Sequence, residues 1–307
     1  GAKVAIIDPG PLGGLCILKG CMPTKAILRS SDIMALMRRA KEFGIQPVDA
    51  QAHLSAINDR KNKLIKEFAD YRIEQLNSPR FTLIEERAQF ISPHEIQIGN
   101  KLLKARSFII ATGSVIANYS VPGLKETGFV TSDDILKMRE APDSIIVLGA
   151  GAVAVELAQF LLRIGVKVTL LQRSEHILSK GDEDLAKPVE SRFREEGMDL
   201  YTGTKILRAE KKPEGSVIYF EHEGKEKKVR AQYILQALGR RPNIDNLQLE
   251  SAKIETQKSC IPVDSKMKTN QPHIYAVGDV NGIHEVVHIA IQQGEIAGYN
   301  AINTANE

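Results

Sequence analysis

The glycine-rich segment at residues 149–156 constrains the fold of this chain more strongly than any other feature. It has the pattern GxGxxA, follows a short apolar run, and opens a helix that we predict over residues 152–164. In such a strand–turn–helix unit Gly149 permits the tight turn, Gly151 lets a pyrophosphate approach the backbone, and the small Ala154 lets the helix pack closely on the strand. The pattern therefore predicts a dinucleotide site at the N-terminus of the helix. A tight βα turn that holds no ligand is the alternative.

The end of the following strand indicates which dinucleotide is bound. About 20 residues after the glycine turn, an acidic side chain would hydrogen-bond the ribose 2′-hydroxyl of NAD. This chain has Gln172 and Arg173 there, and neither is acidic. A guanidinium can instead pair with a 2′-phosphate, so the sequence favours NADPH over NADH. A solvated surface arginine is the alternative for Arg173.

The order of the predicted elements places the chain in the α/β class. Strand-like runs alternate with helical ones, and two of them, at residues 3–8 and 144–148, lead into glycine-rich turns followed by helices. Alternation of this kind is typical of parallel sheets covered by helices on both faces. The chain has 307 residues, and at about 150 residues per domain we expect two domains.

Composition and charge argue against several classes of partner. The formal net charge of +3 gives no reason to expect a nucleic acid or an acidic membrane surface as partner. No apolar run approaches the roughly 20 residues that cross a bilayer. Three cysteines do not make the disulfide framework of a secreted domain, and they leave too few ligands for a zinc site. Since no secretory signal is recognised at the start, we expect a cytoplasmic location.

Cys16 and Cys21 form a C-x4-C pair whose spacing permits a disulfide. Gly20 lets the backbone fold tightly enough to bring the two Cα atoms within the roughly 7 Å that a disulfide requires. Cys21 also precedes Pro23 and a helix predicted over residues 24–43, whose dipole favours negative charge on the sulfur. Two inert buried cysteines are the alternative on spacing alone.

Asp8 ends the first strand-like run, where an acidic residue can hold the ribose of a bound dinucleotide. The glycine turn that accompanies such an acid would lie about 20 residues earlier, before residue 1. We therefore expect the chain to begin inside a dinucleotide fold whose first strand and phosphate loop are absent. A turn-forming aspartate ahead of Pro9 is the alternative.

Residues 13–25, GGLCILKGCMPTK, closely resemble the active-site signature of the FAD-dependent pyridine nucleotide–disulfide oxidoreductases. That family includes dihydrolipoamide dehydrogenase, glutathione reductase and mercuric reductase. Further similar motifs follow in the order and spacing of the family. They are residues 111–113 (ATG), the glycine turn with Glu156, residues 237–243 (ALGRRPN) and residues 275–279 (YAVGD). Together they cover nearly the whole chain, so the joint resemblance is specific although each short motif alone is weak.

The resemblance implies two Rossmann-like three-layer domains, with an NAD(P)H-binding domain inserted in an FAD-binding domain. The FAD domain would comprise residues 1–120 and 250–307, and the NAD(P)H domain residues 121–249. Lys25 would lie near the flavin ring, paired with Glu156. Without the family, Glu156 would be interpreted as a solvated residue on a polar helix stripe with Gln159 and Arg163. The further cofactor-binding residues that the resemblance implies are Asp8, Gly14, Thr112, Gly113, Gly239, Gly278 and Asp279.

The resemblance also implies a reaction. Electrons would pass from NAD(P)H through FAD to a Cys16–Cys21 disulfide, with Cys21 facing the flavin and Cys16 attacking the substrate. The substrate would be a small-molecule disulfide or dithiol, or a metal ion, and the intact protein would be a homodimer. The C-terminal dimerisation domain of the family, which supplies a His–Glu pair to the partner's active site, is expected to be absent from this chain. A non-catalytic nucleotide-binding fragment with a regulatory or structural role is the alternative.

Arg173→Glu is predicted to narrow or reverse a preference for NADPH over NADH. Loss of an arginine–phosphate contact costs on the order of 1.5–3 kcal/mol, which corresponds to roughly tenfold or more in relative kcat/KM. Steady-state kinetics with both nucleotides measure this change. Equal kinetic constants for NADPH and NADH in the unmutated protein would contradict the prediction.

Overall fold

The computed structural model of the protein describes residues 2–303, so the predicted domain ends at residues 1 and 307 lie outside the described range. Helices and strands alternate along it, which confirms the predicted α/β class. The strands are β1 (Val4–Ile7), β2 (Phe81–Ile84), β3 (Ala88–Ser92), β4 (Glu95–Ile98), β5 (Lys101–Lys104), β6 (Phe108–Ile110), β7 (Ser114–Ile116), β8 (Ser144–Leu148), β9 (Lys167–Leu171), β10 (Asp199–Tyr201), β11 (Lys205–Lys212), β12 (Gly215–His222), β13 (Lys225–Ala231), β14 (Tyr233–Gln236), β15 (Arg240–Pro242) and β16 (Ile274–Ala276). The α-helices are α1 (Gly14–Leu18), α2 (Cys21–Arg38), α3 (Leu54–Leu76), α4 (Leu124–Thr127), α5 (Ser132–Ile135), α6 (Ala152–Arg163), α7 (Glu183–Glu195) and α8 (Val287–Asn303).

Helix α2 begins at Cys21, earlier than the predicted start at residue 24, and it ends at Arg38. Pro23 fits in its first turn because N–H groups at the start of a helix have no partner within that helix. Thr24 Oγ1 donates a hydrogen bond to Gly20 O at 2.8 Å, which closes the first turn. Cys21 is therefore the first helical residue, at the end where the helix dipole is positive.

The contacts between described residues divide the chain into two compact units. The first contains the residues up to Cys16, Ala69–Ala117 and the residues from Arg240 onward, and the second contains Ile17–Phe68 and Asn118–Gly239. The sequence prediction placed residues 17–68 in the FAD domain. In the structure they pack with the glycine-turn segment, because Ile27 and Leu54 lie in the apolar cluster of that segment. The assignment of each domain to a cofactor stays a prediction.

The second unit is built on a four-stranded parallel sheet with the order β10-β9-β8-β14. The chain passes from β8 outward through β9 to β10 and returns to the other side of β8 with β14. The strand order therefore reverses between β8 and β14, and in open α/β sheets ligands bind at the carboxyl ends of the strands beside such a reversal. β8 spans Ser144–Leu148, as predicted, and its last four residues are buried. The glycine turn after β8 thus lies where this fold places a ligand.

Helix α6 packs against this sheet and also against α2. Phe160 and Leu161 of α6 are fully buried, and Ile27 of α2 belongs to the same apolar cluster. Ser31 of α2 is fully buried as well, and its hydroxyl donates to Leu28 O within the helix. Burial of Ile27, Phe160 and Leu161 in one cluster provides a favourable hydrophobic contribution to the packing of the two helices.

Two ion pairs show that α2 and α6 run in parallel. Lys25 of α2 pairs with Glu156 of α6, and Asp32 of α2 pairs with Arg163 of α6. The step between the pairs is seven residues on both helices, in the same direction along the chain. The N-termini of α2 and α6 therefore lie at the same end of the helix pair.

Arg163, at the end of α6, joins three helices. Its guanidinium donates to Asp32 Oδ1 at 2.5 Å and to the carboxylate oxygens of Glu196, the C-cap of α7, at 2.8 and 2.9 Å. The side chains of Arg163 and Glu196 are each only 13% exposed. Burial alone would raise the pKa of Glu196, but the hydrogen bond and charge of Arg163, aided by Gln159 and Arg192, lower it below the ordinary value. Gln159 and Arg163 therefore belong to a hydrogen-bonded ion network between helices and not to a solvated stripe.

The first unit contains the parallel pairs β1-β2 and β6-β16 and the antiparallel groups β7-β15 and β3-β4-β5. Phe90, Ile110 and Ile274 lie in its main apolar cluster. β6 and β16 are neighbours and end directly before residues 111–113 and 277–279. Both motifs therefore follow the carboxyl ends of adjacent parallel strands, where α/β folds place their ligands.

Glu196→Gln is expected to destabilise the protein by about 1.5–3 kcal/mol near neutral pH, the usual range for hydrogen bonds to charged groups. A carboxyl group whose pKa is lower in the folded state adds stability above its unfolded pKa and loses it as the pH falls through its folded pKa. The difference in unfolding free energy between the two proteins should therefore be largest above a pH of about 4.5 and shrink below it. Urea unfolding over this pH range measures the difference.

Glu195→Gln is the matched control, because Glu195 also pairs with Arg192 but its side chain is 63% exposed. Exposed pairs contribute about 0–1 kcal/mol, so this variant should lose little stability. A difference between the Glu196→Gln and unmutated proteins that does not vary with pH would contradict the prediction.

Candidate functional site

The turn after β8 has a backbone that favours glycine at its first position. Gly149 has a φ of +95°, and a Cβ there would lie 2.7 Å from Ala237 O. Gly151 is the N-cap of α6, and a Cβ there would meet no atom within 4 Å. Ala154 is buried where α6 approaches the sheet. These positions have the three properties that the GxGxxA pattern predicts, namely a tight turn, an open approach and close helix packing.

The N-terminus of α6 fits the pyrophosphate of a dinucleotide. Its N-cap makes no side-chain hydrogen bond, and the N–H groups of a first helical turn have no partner within the helix. The open space at Gly151 lets a phosphate reach these donors, and the helix dipole favours negative charge there. Gly239, with a φ of +133°, follows β14 at the same edge of the sheet.

Gln172 and Arg173 follow the carboxyl end of β9, the strand beside β8. Gln172 is buried, and its Nε2 donates to His176 O at 3.3 Å, which commits this side chain to local structure. Arg173 is exposed and makes no hydrogen bond or ion pair to any residue in the described range 2–303. The choice between NADPH and NADH through Arg173 stays a prediction.

Cys16 lies within α1, and Cys21 is the first residue of α2. The structure has no disulfide between them. Cys21 is exposed, and no side chain caps the N-terminus of its helix, because the N-cap residue is Gly20. Gly14 opens α1 with a φ of +78°, and a Cβ there would meet no atom within 4 Å. The formation of a disulfide between the two cysteines stays a prediction.

Lys25 and Glu156 are brought together as the resemblance implied. Lys25 Nζ lies 2.6 Å from Glu156 Oε1, and the two side chains are 58% and 27% exposed. Lys25 follows Cys21 by about one helical turn, and Glu156 follows Ala152 at the start of α6 by the same interval. The ion pair therefore joins the cysteine-bearing end of α2 to the glycine-turn end of α6.

A second polar cluster lies in the first unit, beyond the carboxyl ends of β6 and β16. Ser114 Oγ donates to Asp279 Oδ2 at 2.6 Å and accepts a hydrogen bond from Arg240 Nε at 2.9 Å. Arg240 also donates to Ser114 O at 2.7 Å. Asp279 is a predicted site residue, whereas Ser114 and Arg240 were missed. Their positions directly after Gly113 and Gly239 in the two motifs are the signal that could have found them.

The backbone beside this cluster is fixed by Asn243. Thr112 Oγ1 donates to Asn243 O at 2.7 Å, and Asn243 N donates to Gly113 O at 2.9 Å. Gly113 has a φ of +69° and open space at its Cβ position. Gly278, with a φ of +72°, donates its N–H to Gln293 Oε1 at 2.7 Å. The open space at Gly113 and the Asp279 carboxylate held by Ser114 fit the hydroxyl-rich part of a flavin dinucleotide.

Asp8 follows β1 and organises the turn after it. Its Oδ1 accepts a hydrogen bond from Gly10 N at 2.8 Å, and its N–H donates to Ile84 O at 3.1 Å. The first contact is the turn-forming role that the sequence offered as an alternative. Binding of a flavin ribose by Asp8 stays a prediction.

Among residues 2–303, no three His, Cys, Asp or Glu side chains are placed so that they could hold a metal ion. No helix in that range combines the length and the apolar character needed to cross a bilayer. Cys260, the third thiol, donates a hydrogen bond to Lys258 O at 3.6 Å.

Comparison with known proteins agrees with these features. A mercuric reductase of Staphylococcus aureus is 33% identical over 307 residues, which are 99% of this chain and 56% of that protein. A dihydrolipoyl dehydrogenase of Bacillus subtilis is 30% identical over 307 residues, which are 98% of this chain and 67% of that protein. The chain spans about half the length of the mercuric reductases that it matches.

The fold is also found among solved structures. The HOCl-induced flavoprotein disulfide reductase RclA from Escherichia coli superposes with a TM-score of 0.83 at 25% sequence identity, over 96% of this chain and 64% of that one. This likeness supports the Rossmann-like architecture. The family described as pyridine nucleotide-disulphide oxidoreductase matches residues 1–294, nearly the whole sequence. The chain therefore belongs to the pyridine nucleotide-disulphide oxidoreductase family.

Proposed function

We propose that this protein is an NADPH-dependent flavoprotein oxidoreductase that reduces a Cys16–Cys21 disulfide and passes the electrons to a disulfide or to a metal ion. The observation that carries the proposal is the parallel pair of α2 and α6, which has an exposed cysteine and a dinucleotide turn at the same end. Family membership and the names of the relatives support the same conclusion.

The residues of the glycine turn would hold the nucleotide. Gly149 and Gly151 leave the backbone N–H groups of α6 open to the pyrophosphate, and Arg173 would bind the 2′-phosphate. The flavin dinucleotide would be held by residues of the first unit, namely Asp8, Gly14, Thr112, Gly113, Gly278 and Asp279. When bound, the nicotinamide and flavin groups supply hydride transfer and two-electron reduction of the disulfide.

The cysteines would perform the thiol chemistry. Reduction of the Cys16–Cys21 disulfide takes up two electrons and two protons and leaves two thiols. The Cys16 thiolate then attacks one sulfur of a substrate disulfide, so the substrate S–S bond breaks and a mixed disulfide forms. Cys21 attacks the Cys16 sulfur, which releases the second substrate thiol and restores the protein disulfide. The N-terminus of α2 favours the thiolate form of Cys21 in this step.

A mercuric ion is the second substrate class, because mercuric reductases are among the relatives. Thiolates are soft ligands and bind soft metal ions strongly. In that reaction two electrons convert the ion to the neutral metal, and NADPH is converted to NADP⁺ and a proton. Dihydrolipoyl dehydrogenase relatives favour the dithiol class instead. Arg173 favours NADPH over NADH in either reaction.

The assembly and location of the whole protein are part of the same proposal. The family resemblance favours a homodimer, in which each active site uses residues of both subunits. A cytoplasmic location is favoured because thiol-based reductases that use NADPH work where the nucleotide is present and cysteines stay reduced.

Cys21→Ser is expected to abolish NADPH-dependent reduction of disulfides and of mercuric ion, because the internal disulfide can no longer form. Transfer of hydride from NADPH to the flavin should persist, since it needs neither thiol. Loss of flavin absorbance after rapid mixing with NADPH measures the first step, and release of free thiols measures the second.

The experiment uses the whole protein that carries this chain, with Cys260→Ser as the matched control that should retain activity. An unmutated protein that binds NADPH but reduces neither a panel of disulfides nor mercuric ion would contradict the proposal. That outcome would favour the non-catalytic nucleotide-binding alternative.

Glu156→Gln is expected to lower kcat for disulfide reduction by about tenfold, equivalent to about 1.4 kcal/mol in the barrier, because Lys25 loses its charged partner. The unfolding free energy should change by less than about 1 kcal/mol, since the pair is exposed. Steady-state kinetics and urea unfolding of the same preparation measure the two effects. An unchanged kcat would show that Glu156 has no role in the reaction.

A further inference from the structure

The ion pair between Asp32 and Arg163 has no part in the proposed chemistry, yet it lies on the same two helices as Lys25 and Glu156. Arg163 Nη1 donates to Asp32 Oδ1 at 2.5 Å, while its Nε and Nη2 bind Glu196. The Arg163 side chain is 13% exposed, compared with 58% for Lys25. Asp32 accepts one hydrogen bond from Arg163, and its side chain is 46% exposed, compared with 27% for Glu156. Because Glu196 holds the other two donors of the guanidinium, Arg163 offers Asp32 a fixed partner.

The order of charges along the helices fixes their register. α2 carries a cation, Lys25, and then an anion, Asp32, whereas α6 carries an anion, Glu156, and then a cation, Arg163. A shift of α2 by two turns in one direction would place Asp32 beside Glu156, and the opposite shift would place Lys25 beside Arg163. Either shift puts like charges together, which is unfavourable. Only the observed register satisfies both pairs.

We propose that Asp32 is a positioning residue for Cys21, because it holds α2 in register on α6 through Arg163 and so keeps Lys25 on Glu156. The proposal deepens the proposed function and rests on it for the importance of the Cys21 thiol. While Lys25 is paired with Glu156, the carboxylate neutralises the charge of the ammonium group, which lies one helical turn from Cys21. Once α2 can shift, the ammonium is released from that carboxylate and favours the Cys21 thiolate.

A direct electrostatic effect of Asp32 on Cys21 is weak. The two residues are eleven positions apart on α2, which corresponds to about 16 Å along the helix axis. Charges near the surface are largely screened beyond about 10 Å in 0.1 M salt. An effect of Asp32 on the thiol that depends on Glu156 therefore has to pass through the helix contact.

Alkylation of Cys21 by iodoacetamide tests the proposal without cofactor or substrate. The reduced protein is treated at fixed pH in 0.1 M salt, and modification of the Cys21 peptide is followed by mass spectrometry in the unmutated, D32N, E156Q and doubly substituted proteins. D32N and E156Q should each speed alkylation by about two- to fivefold, the range for one charge near a helix N-terminus. The double variant should be alkylated at the same rate as E156Q, because Lys25 has already lost Glu156 as its partner.

Rescue and a matched control complete the design. D32E keeps the carboxylate and should restore the slow alkylation rate. Asp59→Asn removes another aspartate–arginine pair of the same unit, with Arg139, which is exposed, and should leave the rate unchanged. If D32N does not fold, as judged by circular dichroism, D32S replaces it, because serine also lacks the carboxylate that pairs with Arg163. It should speed alkylation in the same way.

Two results would overturn the proposal. One is an unchanged Cys21 alkylation rate in folded D32N, and the other is an equal effect of D32N with and without E156Q, as independent sites show. NADPH-dependent reduction of disulfides is measured in parallel. If the whole protein reduces no substrate, the proposed function fails while the alkylation rates still decide the role of Asp32. If it is active and the alkylation effects are independent, only the positioning role fails.

Discussion

Ile27 of α2 is buried in an apolar cluster whose other members come mainly from β8, α6 and their neighbours. Burial of such a side chain contributes about 1.5–3 kcal/mol, more than an exposed ion pair such as Lys25–Glu156 contributes. Apolar packing therefore stabilises the contact between α2 and α6, and the ion pairs determine its register. The positions of Cys21 and of the glycine turn relative to each other depend on that contact, since each lies at the N-terminus of one of the two helices.

Parallel strands explain why the predicted motifs converge within each unit. In the second unit the glycine turn follows β8, and Gln172 follows the neighbouring β9. In the first unit Thr112 follows β6, and Asp279 follows the neighbouring β16. Strands that run in the same direction bring their carboxyl ends to one edge, so residues distant in sequence meet there without any local signal. The strand order of each sheet thus brings the predicted site residues to one edge.

Local patterns predicted elements well where one principle dominates. β8 was predicted with its observed bounds, because a continuous apolar run before a glycine turn has few other interpretations. The start of α2 was missed because Pro23 signals a boundary that a first helical turn tolerates. The role of Arg163 was not predicted beyond its place on a polar helix stripe, since its partners Asp32 and Glu196 lie far away in sequence. Contacts at such separations follow from tertiary packing, and only the resemblance anticipated the pair of Lys25 and Glu156.

The second unit is assembled from two stretches of chain, residues 17–68 and 118–239, with part of the other unit between them. During synthesis α2 therefore leaves the ribosome before α6 exists, and most of the apolar cluster that buries Ile27 is still missing. Contacts between distant segments form late, because loop closure costs entropy before the contact rewards it. The cysteine-bearing helix α2 can therefore pack on α6 only after the glycine turn has been translated. The order of the segments in the chain thus delays the step that brings Cys21 to its final position.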